Sequence, residues 1–235
     1  MDQYKVRIYP NAKSPRLFRN RVLELLTRTH PLVITIMYVS LGGYLIHLFS
    51  VYNPEVPVYT IAGVLVVGVF SWTFGEYMMH RFLYHDLHDA TFSSGFHYLF
   101  HGVHHEYPND DDRLVLPPVP SLIIAGILLG LFYLVMGQWS FVFGTGFLWG
   151  YLSYMNIHYC VHHFDPPKHF NFWWRHHAIH HFQQHDRAFG VTTSLWDRVF
   201  RTMPEPMRKT VEIEVQRTKI PEQQSEAAPD VLVHS

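Results

Sequence analysis

Four long runs of apolar residues, each bounded by polar or histidine-rich sequence, organise the chain. They cover about 32–51, 58–74, 119–136 and 139–157. At roughly 17–20 residues each, they have the length a helix needs to cross a ~30 Å hydrocarbon core at 1.5 Å per residue. None has Lys, Arg, Asp or Glu in its middle, and glycine occurs inside them as it does in membrane helices. Buried helices of a soluble protein are the competing explanation, but four charge-free runs of this length are rare in soluble domains.

Loop lengths set the expected topology. Residues 52–57 join the first two runs, and little more than Gly137 and Gln138 joins the last two, so each pair forms an antiparallel hairpin. The N-terminus, the middle stretch and the C-terminus then share one side. All 18 Lys and Arg residues fall there: seven before Leu32, Arg81 and Arg113 in the middle, and nine from Lys168 onward. The positive-inside rule makes that side cytosolic.

The expected fold is therefore an all-α integral membrane protein, with four transmembrane helices in two hairpins. Residues 1–211 form one domain, with a helical, histidine-rich cytosolic cap built from 75–118 and 158–211. The basic amphipathic stretch 16–28 reads either as a segment lying on the membrane surface or as an ordinary helix flank. Residues 212–235, polar and rich in Gln, Glu and Pro, read as a disordered tail. The first twenty residues lack the apolar core of a signal peptide.

Composition changes this picture only through histidine. With 18 Lys and Arg against 19 Asp and Glu there is no basic field, which argues against a nucleic-acid partner. A single cysteine, Cys160, excludes a disulfide framework and argues against a Cys-based zinc or iron–sulfur site. Of 19 histidines, however, 16 lie in two windows, 80–105 and 158–185, each directly after a membrane hairpin. The topology places both windows on the same face.

Spacing then selects ligands. His101, His104 and His105 form one H-x-x-H-H and His177, His180 and His181 a second. On a helix such positions share a face, so each triplet is expected to converge on one point. His158 and His162 are an i, i+4 pair. His80 and His85, at i, i+5, fall off a single α-helical face; either a helix end or bend brings them together, or they serve different metals and bridge two sites, which is the preferred expectation. Ten imidazoles suit two ions at five ligands each, with a coordination position left open. Imidazole suits iron, zinc, copper and nickel alike, so the donors do not choose the metal.

His97, His163 and His176 sit beside these motifs and could replace a neighbour. His88, His169 and His185 read as outer or solvated groups, and His30, His47 and His234 as structural or exposed. Glu76, Asp86, Asp89, Asp165 and Asp186 are candidate partners for the free imidazole N–H groups.

The order and spacing of HRFLYH (80–85), HGVHHEYPNDDDRLVLPPVPS (101–121), HYCVHH (158–163) and HHAIHHFQQHDRAFGVTTSLWDRVF (176–200) resemble the membrane fatty acid hydroxylase / sterol desaturase superfamily, and within it the fatty acid 2-hydroxylases. The similarity runs from about Gly75 to Thr202. It implies a four-span fold with a cytosolic metal cap and the same ten histidine ligands. It also implies two iron ions (zinc in some purified samples), dioxygen, and 2-hydroxylation of a long-chain acyl lipid drawn from the bilayer. Two departures stand out. No HPGG haem motif of a fused cytochrome b5 domain is present, so electrons are expected from a separate cytochrome b5 or ferredoxin-type donor. Met155 stands where that family leads one to expect Asp, three residues before His158.

Other readings remain at this point: a hydroxylase or desaturase of a sterol or carotenoid, a metal transporter, or a non-redox zinc membrane protein. Transporters place polar ligands near the bilayer midplane, whereas these spans are nearly free of them. The membrane itself would be the endoplasmic reticulum in a eukaryote or the inner membrane in a bacterium.

Overall fold

The computed structural model describes residues 4–85 and 97–216. Asp86, His88, Asp89 and His234, and most of the expected tail, lie outside the described residues. Each apolar run becomes a helix with a legible start. His30 caps α2 (Pro31–Tyr52) by accepting the Leu32 amide at 3.2 Å, and Pro31 sits in its first turn, where a missing N–H costs nothing. Pro57 precedes α3 (Val58–Met79). Ahead of α2 lies the five-residue α1 (Arg21–Leu25).

The segment Val103–Glu106 forms the short α4. Pro118 opens α5 (Pro118–Met136), which ends at Gly137 with φ +56°, a conformation that favours glycine and turns the chain into α6 (Trp139–His163). Beyond these come α7 (Phe172–Phe182) and α8 (Leu195–Val199).

Three segments are long and apolar enough to cross a membrane: Pro31–Tyr52, Val58–Tyr84 and Asp111–Met136. Large apolar side chains stand exposed along them, among them Ile36, Val66, Leu134 and Val135. A surface this apolar is unfavourable against water and suited to lipid. The fourth run, α6, packs among α2, α3 and α5 and buries residues along its whole length, from Ser140 to His158. Its Ser140, Thr145 and His158 are thereby shielded by protein.

Small residues bring α3 and α6 together. A Cβ on Gly68 would lie 2.9 Å from Gly146 Cα, and one on Gly146 would lie 2.9 Å from the Leu65 carbonyl carbon. Only glycine allows this backbone approach. The two helices run in parallel from this crossing, and twelve residues further on each reaches a histidine, His80 and His158. That is about 18 Å along both axes. Met155, one turn before His158, is fully buried in the core with Ile34, Tyr38, Trp72 and Leu152.

Two expectations need correction. The protein is not wholly helical: β1 (Tyr4–Ile8) pairs in parallel with β2 (Val211–Val215). The strand also occupies the start of the expected tail. Val211-Glu-Ile-Glu-Val215 alternates apolar and polar at period two, a strand signal that bulk polarity concealed. Val6, Ile8 and Val211 bury one face, while Lys5 and Arg7 oppose Glu212 and Glu214 across the other.

Candidate metal centres

The ten motif histidines gather into two pockets. His80, His85, His101, His105 and His180 form one; His104, His158, His162, His177 and His181 form the other. Within each, one ligand atom from every ring lies within 4.8 Å of all the others. Nine of the ten are buried, and His162 is half-buried.

Local backbone explains the grouping, and it differs from the expected pattern in two respects. His80 and His85 do not bridge the sites; they share one. The α3 helix widens into a π-turn over His80–Tyr84, closed by the His85 amide donating to the His80 carbonyl at 3.2 Å. An i→i+5 turn aligns residues five apart, which an α-helix cannot do. The H-x-x-H-H triplets, in turn, do not converge on one point. His101 and His105 enter the first pocket while His104 enters the second; His177 and His181 enter the second while His180 enters the first. Adjacent helical positions are about 100° apart, so 104 and 105, like 180 and 181, must diverge. Each window thus supplies four ligands to one pocket and lends a fifth to the other. The pockets adjoin where His105 stacks on His181, with ring centroids 4.1 Å apart.

The donors fit metal ions. Nε2 atoms face one another at 3.0 Å (His80–His101 and His101–His105), 3.2 Å (His104–His181) and 2.8 Å (His162–His177). Two cis ligands about 2.1 Å from a common ion are separated by roughly 3 Å. His158 and the Nε2 of His180 are buried with no hydrogen-bond partner, an arrangement that is costly for a polar atom unless an ion takes its lone pair. Burial holds the imidazoles of His85, His101, His104, His105, His177, His180 and His181 well below the ordinary histidine range, and mutual repulsion of their charged forms adds to it. At neutral pH these rings are therefore uncharged, the state that binds metal.

Outer contacts orient two of the ligands. His80 Nδ1 donates to the Phe189 carbonyl at 2.5 Å, and His180 Nδ1 to the Arg187 carbonyl at 2.7 Å. Both leave Nε2 to face the pocket. The carbonyls belong to the loop 187–192, which two buried carboxylates hold. Asp197 accepts the amides of Phe189 (3.0 Å) and Gly190 (2.9 Å), the Thr202 hydroxyl (2.7 Å) and His176 Nε2 (3.2 Å). Glu76 accepts the Val191 and Thr192 amides at 2.6 and 2.8 Å, and the Thr192 hydroxyl. Glu76 is thus not an imidazole partner as expected; it acts through the backbone.

Asp197 was not among the sequence candidates. The available signal was its position as the one carboxylate between 187 and 204.

The remaining candidates belong to neither group of five, although His185 packs against the first, its ring centroid 4.8 Å from that of His105. His176 is spent on Asp197, and His163 is exposed with Nδ1 3.5 Å from Asp111 Oδ1. His97 begins the π-turn segment Tyr98–Gly102 and belongs to neither group. His185 is buried, its Nε2 donating to the His181 carbonyl at 2.8 Å. Asp165 and His169 are exposed, and Asp186 pairs with Arg208 at 2.7 Å.

Comparison with known proteins agrees with this geometry. The fatty acid hydroxylase family matches residues 65–202. A dihydroceramide fatty acyl 2-hydroxylase (FAH2) of Arabidopsis thaliana is 35% identical over 199 residues, covering 82% of this chain and 81% of its own. The fatty acid 2-hydroxylase of Homo sapiens is 34% identical over 230 residues, covering 86% of this chain and 60% of its own. Among solved structures, full-length scs7p, with only its hydroxylase domain visible, superposes with a TM-score of 0.72 at 31% identity. That match covers 83% of this chain and 74% of the other.

Proposed function

The chain belongs to the fatty acid hydroxylase family, and on that premise we propose that it is a membrane-bound, O2-dependent 2-hydroxylase of long-chain acyl groups, free or within a ceramide. The observation that supports this most directly is the pair of adjoining five-imidazole pockets with no carboxylate or thiolate among their donors. Five neutral ligands leave a coordination position for an exogenous molecule. Iron bound there supplies the activation of dioxygen that an unreactive C–H bond demands, using two electrons from a separate cytochrome b5 or ferredoxin-type donor and releasing water. Zinc would suit the same donors without that redox chemistry.

The protein's own contribution is positioning and exclusion of water. Glu76 and Asp197 fix the 187–192 loop, whose carbonyls fix the tautomers of His80 and His180. Beneath the second pocket, Tyr154 stacks along His158 at 5.5 Å, and Trp72 packs edge-on against Tyr151. These aromatic residues of α3 and α6 lie next to the histidines within the helix core, and an acyl chain reaching them from the bilayer would present one carbon near the ions while its tail stays in lipid. Regioselectivity then follows from the depth at which the chain stops.

In this reading α6 is the fourth span, and all the cations face the cytosol. The membrane is the endoplasmic reticulum or a bacterial inner membrane, depending on the source. Expression in a host lacking 2-hydroxylated lipids, followed by lipid mass spectrometry, tests the proposal. The expected product is a 2-hydroxy acyl lipid. No oxygenated acyl product from iron-loaded protein supplied with a working reductase would refute it.

A further inference from the structure

The segment leading into the first span has an unusual distribution of charge. Its single acid turns inward. Glu24 accepts the amides of Leu17 (2.9 Å) and Phe18 (3.2 Å) and pairs with Arg28 (2.9 Å) and with buried Arg113 (2.7 Å). The outward surface is left with Arg16, Arg19 and Arg21, all exposed. Among the described residues none of the three makes a hydrogen bond or ion pair, and together they line one recess with Phe18, Leu25 and the neutralised Glu24.

Phe18 also lines an adjoining cavity of about 290 Å3, whose apolar walls include Leu23, Leu26, Leu99, Val119 and Ile123. Val119 and Ile123 lie in the first turns of α5, within a segment apolar enough to cross a membrane, so the cavity opens where that helix would enter the bilayer. Beside it Val22 and Leu25 stand 66% and 72% exposed.

Three unpaired guanidinium groups above an apolar cavity match the two halves of one amphiphile. We infer that this surface binds a single anionic phospholipid, with its phosphate on Arg16, Arg19 and Arg21 and an acyl chain in the cavity. Guanidinium groups suit the phosphate because their paired N–H groups meet its oxygens bidentately. Cations at the membrane surface select anionic over zwitterionic lipid. The bound chain packs against Leu99, two residues before His101, and so braces the segment that carries three ligands. The inference rests on the membrane reading of α5 and is independent of the hydroxylation chemistry.

The test is native mass spectrometry of the full chain in detergent, with equimolar phosphatidylglycerol and phosphatidylcholine of identical acyl chains. One phosphatidylglycerol should be retained in preference. Combining Arg16→Gln, Arg19→Gln and Arg21→Gln should cut that preference by about a hundredfold, at about fivefold per arginine, while the three Arg→Lys changes keep most of it. Ile123→Trp, which fills the cavity, should weaken retention of the lipid, and glycerol phosphate should not compete. Metal content per chain checks that each variant is folded. Equal retention of the two lipids, or an unchanged preference after the three Gln substitutions, overturns the inference. One-for-one displacement of phosphatidylglycerol by a long-chain fatty acid also overturns it, since the cavity would then belong to the substrate path.

Discussion

Gly146→Ala places one methyl group at the crossing of α3 and α6, far from any histidine, and should nevertheless impair the metal pockets. The new Cβ would sit 2.9 Å from the Leu65 carbonyl carbon and closer still to its oxygen. Carbon contacts are comfortable at 3.5–4.0 Å, so the helices must part by about 1 Å. Overpacking of this kind costs about 1–3 kcal/mol. His80 and His158 follow the crossing by the same twelve residues, so separation at the glycines carries through to both ligands. A displacement of about 1 Å at a reacting centre costs on the order of a hundredfold in rate. Gly130→Ala is the matched control, because a Cβ there meets nothing within 4 Å and alanine is the better helix former. Unfolding in denaturant, metal per chain and 2-hydroxylated product should be measured for both variants. If Gly146→Ala matches Gly130→Ala in all three, the crossing does not set the register of the ligands and the reasoning fails.

The crossed arrangement of ligands gives a sharper test of the pockets. His104→Ala should deplete the ion held by His158, His162, His177 and His181, and His180→Ala the other, each lowering the metal count from about two towards one per chain; retention of both ions in either variant would contradict the grouping. Asp197→Asn leaves one oxygen where two now accept four donors, and should weaken metal binding by about 10–100-fold, read by competition with a chelator.

The pH dependence has a definite sign. Imidazoles held neutral by burial have folded pKa values below the unfolded value, so the unfolded chain binds more protons once pH falls below about 6.5. Stability and bound metal should both be lost on acidification and be flat above that pH, as a thermal-unfolding series would show. Exhaustive chelation at neutral pH should lower the unfolding midpoint, since the lone pairs of ten clustered imidazoles then face one another without an ion.

Much of this protein was legible in one dimension. Four apolar runs became four long helices at nearly the expected bounds, because length and lack of charge leave a membrane-length segment few alternatives. The ten histidines were picked by spacing alone, and the family by the same motifs. What sequence could not show was which histidine joins which pocket. His80 and His85 look incompatible on an α-helix and meet only because the backbone widens to a π-turn, a choice made by the tertiary contacts around it. The two H-x-x-H-H triplets look like single sites and are split, because 100° per residue sends neighbouring rings to opposite sides once two pockets exist to receive them. Asp197 acts on His80 through backbone atoms of a loop, and no side-chain pattern encodes a carbonyl. Periodicity determines which residues can face a common centre; only packing in three dimensions decides how many centres there are and how the ligands are shared between them.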